Sequence, residues 1–154
     1  MATTFSYDEV FNSFLGMVSD YEFLSMSGSD ANELMTEYLH KSISKPYTRR
    51  LFASIILKDD IQQITFEMKY VVDESADLDF VINILAIGMA IEWTLPQVRS
   101  KANMQQFYGG KEQNFYSQAN HISELRGLLD DLKVEQQKLI KDRGFFNNPY
   151  LDKT

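Results

Sequence analysis

From Phe80 to Leu95 the chain reads FVINILAIGMAIEWTL, and wound as a helix this stretch is apolar on nearly every side. Such a helix has no solvent face, so the rest of the chain must fold around it. Asn83 and Glu92 interrupt the run, which from Phe80 to Trp93 is too short for a membrane span and reads as a buried central helix. It begins near Ser75 or Asp77, whose carboxylate suits a helix N-terminus. Pro96 then ends or kinks it.

The preceding segments supply what covers that helix. Ser6 with Glu9 three residues on has the pattern of a capping box, and Val10, Phe11, Phe14, Leu15 and Val18 follow on one helical stripe, weakened slightly by Gly16. Met26 to Ser29 reads as a turn. Asp30 and Glu33 repeat the capping pattern ahead of Leu34, Met35, Tyr38 and Leu39, and this second helix stops before Lys45-Pro46. From Arg50 the period changes: Leu51 to Leu57 and Ile61 to Val72, around Lys58-Asp59-Asp60, predict a β-hairpin. In its second arm Ile64, Phe66, Met68 and Tyr70 face one way and Thr65, Glu67 and Lys69 the other. A two-stranded hairpin is marginal alone, so it packs on the helices or extends a sheet in a neighbouring subunit.

After Pro96, Asn103 to Tyr108 add a short helix and Gly109-Gly110 a break. A last helix runs from about Gln118 to Lys141, with Ile122, Leu125, Leu129, Leu132, Gln136 and Leu139 at alternating three- and four-residue steps. That seam is too short for a coiled coil and reads as packing on the central helix. Lys138, Lys141 and Arg143 suit the C-terminal end, and Gly144 closes it. The fold class is therefore mainly α: a small helical bundle with a long C-terminal helix and an inserted β-hairpin. One domain covers residues 1–144, with the hairpin at about 50–72, and residues 145–154 form a tail.

No constellation of catalytic residues converges. His121 and Glu124 have the spacing of two metal ligands on one helix face, but the only other histidine is His40 and a complete site needs three or four ligands. A surface ion pair is the plainer reading. Ser117 and His121 lie one turn apart without a nucleophile elbow around the serine. Gly109-Gly110-Lys111 lacks the first glycine and the Ser/Thr of a phosphate loop. Asp130 and Asp131 are sequence neighbours that point apart on a helix; Asp59-Asp60 looks like turn chemistry and Asp73-Glu74 like a helix lead-in. No catalytic residue, cofactor or metal is expected, and the chain is not read as an enzyme.

The 154 residues are 44% hydrophobic, enough for one folded domain with a real core. Their 13% aromatic content exceeds what a minimal bundle needs, so some aromatics serve an interface. Trp93, on the most apolar helix, reads as core, where replacement by Ala would cost about 3–5 kcal/mol; as an interface anchor it would be a hot spot. With 22 acidic against 15 basic residues the net charge is −7, and no Lys/Arg stripe for a nucleic-acid duplex stands out. That charge is ordinary solvation or, if copies form a ring, an acidic lumen through which DNA slides. There are no cysteines, which fits a cytosolic origin. The first seven residues lack a basic and an apolar region, so no signal peptide is expected.

The segment from Ile91 to His121 carries a recognisable order: Trp93 and Pro96, then Ser100, Asn103 and Gln106-Phe107, then Tyr116-Ser117-Gln118-Ala119-Asn120-His121 before a Leu-rich helix. With the acidic lead-in at residues 73–77 and the tail around Phe145, Phe146, Asn147 and Asn148, this order resembles head–tail connector (neck, adaptor) proteins of tailed bacteriophages of Gram-positive hosts. The resemblance extends over most of the chain and implies a structural virion protein. It would dock on the portal vertex beside other neck and tail-completion proteins, as a homo-oligomeric ring of twelve-fold symmetry matching the portal, with DNA passing through unbound. It implies a virion location, in the host cytoplasm during assembly, and no membrane. The tail residues Phe145, Phe146, Asn147, Asn148, Tyr150 and Leu151 would meet the portal; folding back on their own domain is the plainer alternative. A small non-catalytic regulatory protein that binds a host or phage partner is the other functional reading.

Overall fold

The computed structural model describes residues 2–18, 26–108 and 112–146, with 100–108, 112–120 and 145–146 described by their backbone alone. In chain order the elements are β1 (Thr3–Ser6), α1 (Tyr7–Met17), α2 (Gly28–Ser44), α3 (Pro46–Arg49), β2 (Phe52–Lys58), β3 (Gln63–Met68), α4 (Glu74–Tyr108) and α5 (Glu112–Phe146). The fold is mainly α, with a long C-terminal helix and the expected hairpin.

The hairpin is part of a three-stranded antiparallel sheet of order β1-β3-β2, because β1 pairs along β3 from Thr3 opposite Phe66 to Ser6 opposite Gln63. Two β2 residues, Phe52 and Ser54, are partnered by the consecutive β3 residues Met68 and Glu67, so Ala53 bulges out of the ladder. The bulge shifts the alternation, putting Phe52 and Ile55 inward while Ser54 and Ile56 face out. On β3, Ile64, Phe66 and Met68 are buried as expected, but Tyr70 lies beyond the strand and is exposed. Phe66 is flanked edge-on by Phe5 at 5.8 Å and Phe52 at 6.0 Å, which ties the three strands through one aromatic row.

Helix α1 starts where its cap requires: Ser6 Oγ accepts from the backbone N–H of Asp8 at 3.2 Å. Val10, Phe11 and Phe14 are buried, whereas Leu15, expected on the same stripe, is exposed. Helix α2 begins at Gly28, two residues before the expected Asp30. Ser27 is the cap, accepting from Asp30 N–H at 3.2 Å, so the expected turn at 26–29 is the helix start. It stops at Ser44, and Pro46 opens α3 at a first-turn position where its missing N–H costs nothing.

Helix α4 is the centre of the fold. Val81, Ile84, Leu85, Met89 and Ala90 are fully buried, with α1, α2 and α5 packed around them. Each large apolar side chain so buried contributes roughly 1.5–3 kcal/mol. Glu74–Arg99 is long enough and, at a mean hydropathy of 1.6, apolar enough to cross a membrane; here most of it is covered by protein. The cap is Asp73, whose carboxylate accepts from Ala76 N–H at 2.7 Å. Asp77 has another task, described below.

Pro96 does not end α4, which continues to Tyr108 and absorbs the short helix expected at 103–108. Proline removes one backbone bond, and the neighbouring turns are held by side chains: Thr94 Oγ1 donates to Ala90 O at 2.7 Å and Gln97 Nε2 to Trp93 O at 3.4 Å. Burial of Ile91, Trp93 and Val98 on both sides keeps the helix continuous.

Helix α5 runs antiparallel to α4, starting before the expected Gln118 and passing through Gly144 to Phe146. Gly144 is therefore an interior helical residue and not a cap. Ile122, Leu125, Leu129, Leu132 and Gln136 are buried against α4, so the heptad-like seam is an intramolecular one. Gln136 Nε2 donates to Ile84 O at 3.3 Å. Gly88 lets the three long helices meet: a Cβ there would lie 1.9 Å from Ser42 Oγ and 3.3 Å from Gln136 Nε2. At the far end of the seam Arg143 donates to Asp77 Oδ1 at 2.5 Å and to Tyr70 O at 2.8 Å, with its guanidinium 4.6 Å above the Phe80 ring. Only 9% of the Arg143 side chain and 6% of that of Asp77 are exposed, so the pair clamps the end of α5 onto the start of α4.

Candidate interaction surfaces

Two regions of the surface concentrate charge, and β2 runs between them. At one end lies the β2–β3 turn. Tyr7 N–H donates to Gln62 O at 2.9 Å, and Gln62 holds the left-handed conformation, φ 51, that the tight turn demands. Gln62 Nε2 donates to Asn32 Oδ1 at 2.7 Å, fastening the turn to α2. Tyr7 Oη donates to Asp59 Oδ1, and His40 Nε2 lies 2.9 Å from both Asp59 oxygens. Burial first, then the bond to Asp59 and the charges of Asp59 and Asp60, pushes the Tyr7 phenol above its ordinary range. The same phenol bond, helped by His40, holds the Asp59 carboxyl below its usual value.

The Tyr–Asp–His triangle ties the β2–β3 turn to α1 and α2. The phenol is sealed in the core with its proton committed to Asp59, while His40 and Asp59 are half exposed. Sequence reading took Asp59 as turn chemistry and did not see its partners, which lie 52 and 19 residues away. Around the triangle Asp8, Glu9 and Asp60 are exposed, and Ile61 beside them is 53% exposed. With Lys58 the exposed cation at the start of the turn, this end of the molecule has an excess of acidic side chains and an apolar tip.

At the other end a groove of about 450 Å³ opens between α3 and α5, lined by Tyr47, Arg50, Lys133, Gln136, Ile140 and Lys141 among others. Tyr47 is exposed, and none of the three cations has an ion-pair partner among the described residues. A cationic groove on an acidic chain went unseen in the sequence because Arg50 and the two lysines are more than eighty residues apart.

Apolar exposure adds a third feature. β2 is an edge strand of the sheet, and Ile56 on its outward side is 54% exposed. Tyr70 and Val71, on the connector into α4, are exposed as well.

Of the positions singled out in the sequence, Trp93 is buried in α4 and Pro96 is exposed on it. Ser100, Asn103 and Phe107 fall on the last turns of α4, and Tyr116, Ser117 and Asn120 on the first turns of α5. These motif positions thus fall on two consecutive helices, and residues 109–111, with the Gly109-Gly110-Lys111 motif, lie outside the described residues. His121 Nδ1 is 3.8 Å from Glu124 Oε2, the exposed ion pair expected of them. Among the described residues no group of three or more His, Asp or Glu side chains is placed to hold a metal ion. Phe145 and Phe146, expected in a tail, continue α5; Asn147, Asn148, Tyr150 and Leu151 lie outside the described residues.

Comparison with known protein families, with curated proteins and with solved structures finds no match to this chain.

Proposed function

We propose that this chain is a structural assembly protein, a head–tail connector of a tailed bacteriophage that docks as a ring at the portal vertex. The observation that carries the assembly reading is the edge strand β2 with Ile56 exposed, followed by the turn with Ile61 exposed. An unpaired strand edge with apolar side chains is a surface that a partner covers. The order of residues from Trp93 to His121 supplies the phage identity, and it lies on one helical hairpin. In this reading α4 and α5 are the rigid body of each subunit and the sheet edge makes contacts to neighbours. The segment beyond α5, from Asn147 to Leu151, reaches the portal. Repetition of one modest contact around a closed ring gives avidity that no single contact has. The chemistry is non-catalytic: the Tyr7–Asp59–His40 triangle positions the turn.

Deleting the gene from the phage tests this reading. The expected outcome is DNA-filled heads and free tails that fail to join. Normal joined particles in its absence would contradict the connector role.

A further inference from the structure

We infer that the cationic groove between α3 and α5 receives the acidic β2–β3 turn of a second copy of this chain, so that copies associate head to tail. The inference rests on the assembly reading and adds to its sheet-edge contact a second pair of surfaces.

Charge gives the first argument. At a net charge of −7, copies of this protein repel one another over most of their surface. The groove is where that repulsion reverses, with Arg50, Lys133 and Lys141 on its walls and no described ion pair using them. The turn end presents the opposite charge on Asp8, Glu9 and Asp60, all exposed.

Shape and apolar character give the second. The groove wall carries Tyr47 and Ile140 beside its cations, and the turn carries Ile61 beside its carboxylates. An acid-plus-isoleucine tip thus meets a cation-plus-aromatic wall, and the two exposed apolar groups cover each other. An isolated phosphate or carboxylate would satisfy the charges and leave that wall wet.

Topology gives the third. β2 leads from Phe52, just after Arg50, to Lys58, just before Asp59; seven residues of strand set the two surfaces roughly 23 Å apart. Neither surface reaches the other within one copy. Because the two surfaces differ, the contact is heterologous: each copy that uses its groove still offers its turn, and the contact repeats until it closes.

The test uses the full chain in sedimentation velocity across a concentration series at low and high salt. One variant reverses the groove (Lys133→Glu with Lys141→Glu) and the other the turn end (Asp8→Lys with Asp60→Lys). All four positions are exposed. Wild type should self-associate, more weakly at high salt, and each reversed variant should associate about tenfold more weakly or not at all. An equimolar mixture of the two variants should regain association, because each then supplies the surface the other lacks. Should a reversed variant fail to fold, judged by circular dichroism, neutralisation (Lys133→Gln with Lys141→Gln, or Asp8→Asn with Asp60→Asn) replaces it with the same expected direction. A wild type that stays monomeric throughout, unchanged association in the groove variant, or no recovery on mixing would each overturn the inference. A chain that is monomeric in solution yet present in phage particles would overturn this contact alone; one that self-associates but is absent from particles would overturn the connector reading alone.

Discussion

Two polar clamps hold this fold together, and they are built from opposite materials. Asp77 and Arg143 join the start of α4 to the end of α5 with both side chains largely covered, the guanidinium lying over Phe80. His40 and Asp59 fix the β2–β3 turn to α2 with both side chains half exposed, only Tyr7 among their partners being sealed. The buried clamp is desolvated, so its loss strands a charge in the core; the His40–Asp59 pair is screened by water, so loss of His40 strands no buried charge. The start of α4 is thereby fastened to the end of α5, while the turn end is positioned yet left accessible.

The comparison breaks most readily at its buried side. Arg143→Ala leaves Asp77 uncompensated and should lower unfolding free energy by about 3–5 kcal/mol in urea denaturation. The double replacement Asp77→Leu with Arg143→Met should recover most of that loss, since it removes both charges together. A full penalty in the double variant would show that geometry, and not desolvated charge, gives the clamp its strength. Gly88→Ala comes next. Its Cβ would drive against Ser42, and overpacking of this kind costs about 1–3 kcal/mol. Ser42→Gly in the same chain should relieve part of the strain, measured as a positive coupling in a double-mutant cycle.

The exposed side should respond weakly. Tyr7→Phe keeps the ring packing on Phe11 and removes the bond to Asp59, at a cost of about 1 kcal/mol. His40→Ala should cost less than about 1 kcal/mol, and less still in high salt. An effect as large as that of Arg143→Ala would erase the distinction between the clamps. On the pH axis, Asp59 has a lowered carboxyl pKa, so its contribution is present above the ordinary value of 3.8 and is lost as pH falls through the lower folded value. Asp59→Asn should flatten that acid limb of the stability profile. Tyr7 works in the other direction: its raised pKa makes stability fall as pH climbs past the ordinary 10.0, and Tyr7→Phe should lack that component.

What could be read in the sequence was local. The Ser6 cap, the hairpin arms, the stop before Pro46 and the seam from Ile122 to Gln136 each repeat within a few residues, and the fold keeps them. What could not be read depends on distant partners. β1 has a single buried apolar residue, Phe5, and becomes a strand because β3 lies beside it. Asp77 looks like a cap until Arg143 arrives from 66 residues away. Pro96 looks like a stop because its lost hydrogen bond is local, whereas the burial that offsets it comes from packing around α4. The surfaces proposed for assembly follow the same pattern: Arg50 joins Lys133 and Lys141, and Asp8 joins Asp60, only after folding.

The proposal that this chain is a connector built into the virion can be put to the test by quantitative mass spectrometry of purified phage particles against the portal protein. A connector ring sharing the portal's symmetry should give a ratio of about one. Absence from particles would contradict it and leave the regulatory partner-binder in its place.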